Sequence, residues 1–93
     1  MKPERILAAL ARYETRLELR PGVRPMRYSG HGNNPTHAET LAHVYWMVLE
    51  VKSFVVEKPE KAQRWLGFIQ GALWRDGEHT IDQFKDDNRS QDL

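Results

Sequence analysis

Residues 58–84, KPEKAQRWLGFIQGALWRDGEHTIDQF, decide the fold of this chain. Pro59 suits the first position of a helix, because the backbone N–H that proline lacks would be unpaired there. Apolar residues then recur at the spacing of one buried helix face: Ala62, Trp65, Leu66, Ile69, Ala72 and Leu73. Gly77 follows them as a left-handed helix stop. The stretch therefore predicts a helix over about 59–75 and a short C-terminal helix over about 81–88.

Two further helices are predicted upstream, over about 3–19 and 36–57. The first has apolar residues at steps of three and four: Ile6, Leu10, Tyr13 and Leu17. The second begins at the capping-box sequence T-x-x-E, Thr36 to Glu39, and is apolar over more than half its circumference. We predict a single all-α domain over 1–93, a small helical bundle. Because few elements can cover the middle helix, we expect a homodimer that shares it.

A long connection joins the first two helices, residues 20–35, with three Pro and three Gly. Connections of this length are uncommon in compact domains and often functional. Its part 20–31 interleaves cationic and aromatic side chains, a composition that contacts phosphates and stacks on bases. The candidate nucleic-acid-binding residues are Arg20, Arg24, Arg27, Tyr28 and His31. The alternative is a surface connector that binds nothing. After Phe84 the chain ends in a polar tail.

The charge is distributed unevenly along the chain. Residues 1–35 have seven basic and three acidic side chains, a net charge of +4, and residues 36–93 have seven basic and ten acidic, a net charge of −3. The two parts could attract each other, within one chain or between two chains. The basic part could equally bind an anionic partner.

Composition limits the class of protein. The chain has no Cys, which excludes disulfides and thiolate zinc sites and is compatible with a reducing compartment. The N-terminus lacks an apolar signal core, and the longest apolar run, Val44–Leu49, is far shorter than the ~20 residues of a membrane span. We expect a soluble protein of the cytoplasm with no membrane partner.

Two glycines lie opposite the apolar face of the third predicted helix. At about 100° per residue, Gly67, Gly71 and Trp74 fall together, flanked by Arg64 and Arg75. Each glycine costs a helix roughly 0.5–1 kcal/mol relative to Ala, so close approach of another helix would explain them. The alternative is that the helix tolerates them. With a Trp from the polar stripe of the middle helix, the interface candidates are Trp46, Arg64, Gly67, Gly71, Trp74 and Arg75.

Candidate reaction centres are weak. Glu39 and His43 are four residues apart on one helix face and could supply two metal ligands, but no H-E-x-x-H or other metalloenzyme spacing follows. Glu57 and Glu60 form an E-x-x-E pair that Pro59 interrupts. No nucleophile elbow or Gly-rich phosphate loop is present. We therefore predict no catalytic residue, metal site or cofactor, and a metal-dependent hydrolase stays a minor alternative.

Residues 60–89, EKAQRWLGFIQGALWRDGEHTIDQFKDDNR, resemble the C-terminal part of small uncharacterised helical proteins encoded by tailed phages and prophages. The resemblance is carried by Lys61–Phe68, Gln70–Gly71, Gly77, Thr80–Asp82 and Asp87–Arg89, with His43, Trp46, Met47, Glu50 and Phe54 upstream. It covers about half of the chain, and residues 1–35 add nothing to it. It implies a phage origin, a bacterial host and an all-helical fold, and it implies no activity or site residue.

The function that the sequence favours is a non-enzymatic phage or prophage accessory protein that acts through protein contacts as a homodimer. The partner would be a host or phage protein. The alternative is weak nucleic-acid binding by the basic connection at 20–31.

Overall fold

The structure, a computed structural model, describes residues 2–30 and 33–77 and contains three helices. They are α1 (Pro3–Glu18), α2 (His37–Phe54) and α3 (Pro59–Arg75). No strand occurs among the described residues, and the prediction of an all-α bundle with three principal helices is confirmed. The short helix predicted over 81–88 lies outside the described residues.

The helices begin where the sequence signals predict. α1 and α3 each have a proline at their start, Pro3 and Pro59. The capping box at the start of α2 is complete, because the Glu39 amide donates to the Thr36 hydroxyl at 3.1 Å and the Thr36 amide donates to the Glu39 carboxylate at 2.9 Å. Each of these devices removes or satisfies a backbone N–H that has no partner inside the helix.

The middle helix ends earlier than predicted, at Phe54 rather than near residue 57. Residues 55–57 form a turn, and Lys58 has a non-helical backbone with φ −132° and ψ 66°. Proline disfavours the helical conformation in the residue before it, so the chain leaves the helix ahead of Pro59. At the end of α3, Gly77 has φ +78° and its amide donates to the Trp74 carbonyl at 3.0 Å, which is the predicted left-handed stop.

α2 is the central helix and contributes to a core shared with both neighbours. Its buried side chains are Leu41, Val44, Met47, Val48 and Val51. α1 adds Ile6, Ala9, Leu10, Tyr13 and Leu17, and α3 adds Ala62, Leu66, Ile69 and Leu73. Burying a Leu, Ile or Val side chain contributes about 1.5–3 kcal/mol, so this core is the main source of stability.

Most of the apolar surface of α2 is covered within one chain, and Leu49 remains exposed. Besides α1 and α3, the connection between α1 and α2 lies against it: Val23 packs on the core, and the Met26 amide donates to the Ala42 carbonyl at 3.0 Å. A second copy is therefore not needed to cover α2. The homodimer itself stays a prediction.

Polar contacts tie α1 to the other two helices. The Gln70 side-chain amide donates to the Tyr13 hydroxyl at 2.9 Å, and Lys52 Nζ lies 3.0 Å from the Glu14 carboxylate.

Within residues 2–30 and 33–77, none of the helices has the length and apolar character needed to cross a membrane.

Candidate functional site

α3 carries aromatic side chains on two different sides. Trp65 packs toward α2, with its ring centroid 6.0 Å from that of Trp46. Trp74 follows nine residues later, which at 100° per residue places it on the opposite side of the helix. The structure therefore divides the six predicted interface residues between two surfaces, and Trp46 does not share the surface of Trp74.

The first surface, called here the glycine face, consists of Arg64, Gly67, Gly71, Trp74 and Arg75. All five residues are exposed, Trp74 with 52% of its surface accessible. A Cβ atom built on Gly67 or Gly71 would meet nothing within 4 Å. Packing inside the described chain therefore gives no reason for either glycine.

The second surface, called here the aromatic cleft, is a cavity of about 300 Å³ between α2, α3 and the connection. It is lined by Arg27, His43, Trp46, Met47, Trp65 and Phe68. The ring of Trp46 lies 5.5 Å from that of His43 and 6.0 Å from that of Trp65. Phe68 is 59% exposed, a high value for a phenyl ring beside a core. The cleft is thus walled by flat aromatic groups that remain partly open to solvent.

Two cationic side chains lie against aromatic rings here: Arg27 of the connection lines the cleft, and Lys61 of α3 lies beside Trp65 without lining it. The Arg27 guanidinium carbon lies 5.5 Å from the centroid of the Trp46 ring. On α3, Lys61 Nζ lies 5.4 Å from the Trp65 ring and 4.7 Å from the Phe54 ring. Cations held over aromatic faces in this way are stabilised by the ring quadrupole. Arg27 and Lys61 therefore remain close to the rings rather than extended into solvent.

The connection is fixed to α2 where it forms the cleft. The Tyr28 amide donates to His43 Nδ1 at 3.0 Å, and the Tyr28 hydroxyl donates to the Asn33 carbonyl at 2.8 Å. The Tyr28 ring also covers Gly30, where an added Cβ would collide with the phenol group. Residues 26–28 are consequently part of the folded surface and not a solvated linker.

The predicted nucleic-acid-binding residues are separated by the fold. Arg27 lines the cleft, and Arg24 is exposed in the same segment. Tyr28 does not line the cleft, although its amide is bonded to His43. Arg20 lies elsewhere, with Nη2 3.4 Å from His37 Nε2 near the start of α2. His31 lies outside the described residues. One of the five predicted residues thus lines the cleft, and α2 and α3 supply the rest of it.

His43 is held as a neutral imidazole. Burial lowers its pKa below the ordinary 6.5, and the positive charge of Arg27 lowers it further. Because Nδ1 accepts the Tyr28 amide hydrogen, the neutral ring must carry its own hydrogen on Nε2. His43 therefore presents one N–H donor from the wall of the cleft.

The residues considered for a metal site already serve the fold. The Glu39 carboxylate belongs to the capping box, and His43 Nδ1 accepts from the connection. Among the residues that the structure describes, no group of three or more His, Cys, Asp or Glu side chains is placed to hold a metal ion. A metal bound at His43 Nδ1 would have to displace the Tyr28 amide from that nitrogen.

Sequence reasoning missed Trp65, Phe68 and Met47 as site residues. It assigned Trp65 to the core face of α3 and Phe68 to the edge of that face. The sequence does place Trp46 on a polar stripe, where an indole needs a neighbour. Only the register of α2 against α3 identifies that neighbour as Trp65, because side chains from two helices meet according to packing rather than spacing.

Comparison with known proteins gives no relative for this arrangement: no family model, no curated protein and no solved structure matches the chain.

Proposed function

We propose that this protein is a non-enzymatic interaction module that acts through protein contacts and pairs with a second copy of itself through the glycine face. The observation that supports this most directly is the open space around Gly67 and Gly71 beside the half-exposed Trp74. An indole of this exposure and two costly glycines have no role inside the described chain. Contact with another helix gives both a role, because glycine lets two backbones approach closely.

The order of residues on the glycine face favours a second copy as the partner. Arg64, Gly67, Gly71 and Trp74 are spaced three, four and three apart, so the set is symmetric about residue 69. In a two-fold antiparallel pair of α3 helices, each residue therefore meets its mirror position. Gly67 faces Gly71 of the second copy, and Arg64 comes level with the second copy's Trp74, where a cation–π contact forms.

The size of this contact predicts a weak dimer. A large aromatic side chain can bury about 150–250 Å², and Trp74 still exposes 52% of its surface, so each copy offers on the order of 100 Å². A contact of two such rings is far smaller than the roughly 800 Å² per partner of a stable interface, so pairing should be weak and should depend strongly on protein concentration.

Sedimentation equilibrium tests the pairing. The wild type should change from the monomer mass of 10.9 kDa toward twice that mass as its concentration rises, while Gly71→Leu and Trp74→Ala should stay monomeric. Leu19→Ala is the control, because it removes an exposed apolar side chain from outside α3. A wild type that remains monomeric at about 500 µM refutes the homodimer.

A pull-down from bacterial lysate tests contact with other proteins. Wild-type bait should retain a host or phage protein that Gly71→Leu bait loses. Retention of the same proteins by both baits would contradict the glycine face as the contact surface. The phage or prophage origin and the cytoplasm of a bacterial host complete this proposal, and they rest on the sequence resemblance alone.

A further inference from the structure

We propose that the aromatic cleft binds one unstacked base of a single-stranded nucleic acid. Trp65 of this site lies on the opposite side of α3 from Trp74, and Phe68 lies at the border with the glycine face. The site does not depend on the homodimer. It also differs from the basic connection considered from sequence, since most of its lining comes from α2 and α3.

The walls of the cleft suit a flat ring. Trp46 and Trp65 lie 6.0 Å apart with planes tilted by 42°, and Phe68 is exposed at the same cavity. A cavity of about 300 Å³ is at the small end of ligand pockets, which limits it to one planar group. Stacking of a base on an aromatic side chain is tolerant of sequence, because every base has a π-face, and is worth about 5- to 150-fold in affinity.

The charges around the cleft suit the phosphates on either side of that base. Arg27 lies over Trp46, and Lys61 lies beside Trp65 on the α3 side. Arg24 is exposed three residues before Arg27 in the connection. A strand that stacks one base on the exposed ring of Phe68 can thus bring a neighbouring phosphate near Arg27, and Lys61 adds positive charge beside Trp65. Glu50 is exposed on α2 one turn after Trp46. Because its negative charge opposes that of the phosphates, the electrostatic part of the affinity for nucleic acid should be modest.

A hydrogen-bond donor in the wall also fits a base. His43 keeps its Nε2 hydrogen, because Nδ1 is occupied by the Tyr28 amide. A base presents carbonyl and ring-nitrogen acceptors on its edge. A peptide that binds by strand addition would fit less well, since it needs a sheet edge that supplies a row of backbone hydrogen-bond partners. The cleft offers flat rings, the Arg27 guanidinium and the His43 imidazole instead.

Fluorescence anisotropy with labelled twelve-residue oligonucleotides, oligo-dT and oligo-rU, tests the proposal at about 50 mM salt. The wild type should bind the single strands and bind a duplex of the same length at least fivefold more weakly. Phe68→Ala should weaken single-strand binding at least fivefold, and Phe68→Trp should retain it. Trp74→Ala is the control, an exposed aromatic ring about 120° around α3 from Phe68, and should change affinity less than twofold.

The dependence of affinity on salt separates the roles of the cations. With two phosphates contacted, log affinity should fall with log salt at a slope of about −1.4, and Arg27→Gln should reduce that slope by about 0.7. Circular dichroism confirms that each variant remains folded.

Three results overturn the proposal: no anisotropy change with 200 µM protein, equal losses in Phe68→Ala and Trp74→Ala, or binding of an acidic aromatic peptide without any oligonucleotide binding. Each of them leaves the sedimentation result for the glycine face untouched, so the two proposals fail separately.

Discussion

Replacing the two glycines of α3 by alanine should make the isolated chain more stable. Gly67 and Gly71 lie in the interior of the helix, and neither has a positive φ. An alanine methyl group would meet nothing within 4 Å at either position. The substitution therefore removes backbone entropy from the unfolded chain without introducing a clash. Each variant should gain about 0.5–1 kcal/mol in free energy of unfolding.

The double variant makes the effect easy to measure. The sites are one helical turn apart with no shared neighbours, so the gains should add to about 1–2 kcal/mol. For a domain of this size, 1 kcal/mol moves Tm by about 4–8 °C, which gives a rise of about 4–16 °C. Thermal and urea unfolding followed by circular dichroism would measure it, at about 1 µM protein so that pairing is negligible.

Gly22 and Gly77 supply the matched controls. An added Cβ would also meet nothing within 4 Å there, but these residues have φ +79° and +78°. Alanine should destabilise the protein at both positions by about 1–2 kcal/mol, because L-residues are strained in that region. The four variants thus differ in backbone conformation alone. Loss of stability in Gly67→Ala at 1 µM would refute the reasoning, since it would mean that α3 is packed against something on its outer side.

Three further predictions concern the core, the cap and pH. Leu10→Ala should lower the free energy of unfolding by about 2–5 kcal/mol, because Leu10 is fully buried, whereas Leu19→Ala should change it little, because Leu19 is 77% exposed; equal effects in urea melts would contradict the assigned core. Thr36→Ala should cost about 0.5–2 kcal/mol by breaking the capping box, and Thr15→Ala, which alters an exposed hydroxyl in the middle of α1, should cost less in the same assay. In the folded protein the pKa of His43 is lowered below 6.5, so the unfolded chain binds the proton first and the free energy of unfolding should fall as pH drops below about 6.5. His43→Asn keeps an acceptor for the Tyr28 amide but does not titrate, so it should flatten that part of the plot of stability against pH. An unchanged slope in this variant would argue against the lowered pKa.

The helices could be predicted because their signals are local. Pro59, the capping box at Thr36 and the left-handed glycine Gly77 each act on the backbone within a few residues, so their effect does not depend on the rest of the fold. The core faces of α1 and α3 followed from spacing for the same reason. The early end of α2 also has a local cause, the constraint that Pro59 places on Lys58, although the prediction put the end near residue 57 rather than at Phe54.

The candidate sites depended on tertiary structure to different degrees. The glycine face lies on one helix, and sequence spacing alone grouped Gly67, Gly71 and Trp74. What the fold added was that no atom of the described chain would meet a Cβ at either glycine and that Trp74 is 52% exposed. The aromatic cleft could not be derived from spacing, because its residues come from a connection and two helices that meet only through packing.

The sequence by itself determined which segments are helical, where they start and which faces are apolar, since these follow from backbone preferences and the 100° step between residues. The tertiary structure decided what covers α2, because the connection could have been solvated and is instead hydrogen-bonded to Ala42 and His43. It also decided that Trp46 pairs with Trp65 rather than with Trp74. Contacts between elements depend on how whole faces pack together, and no local signal in the chain specifies that register.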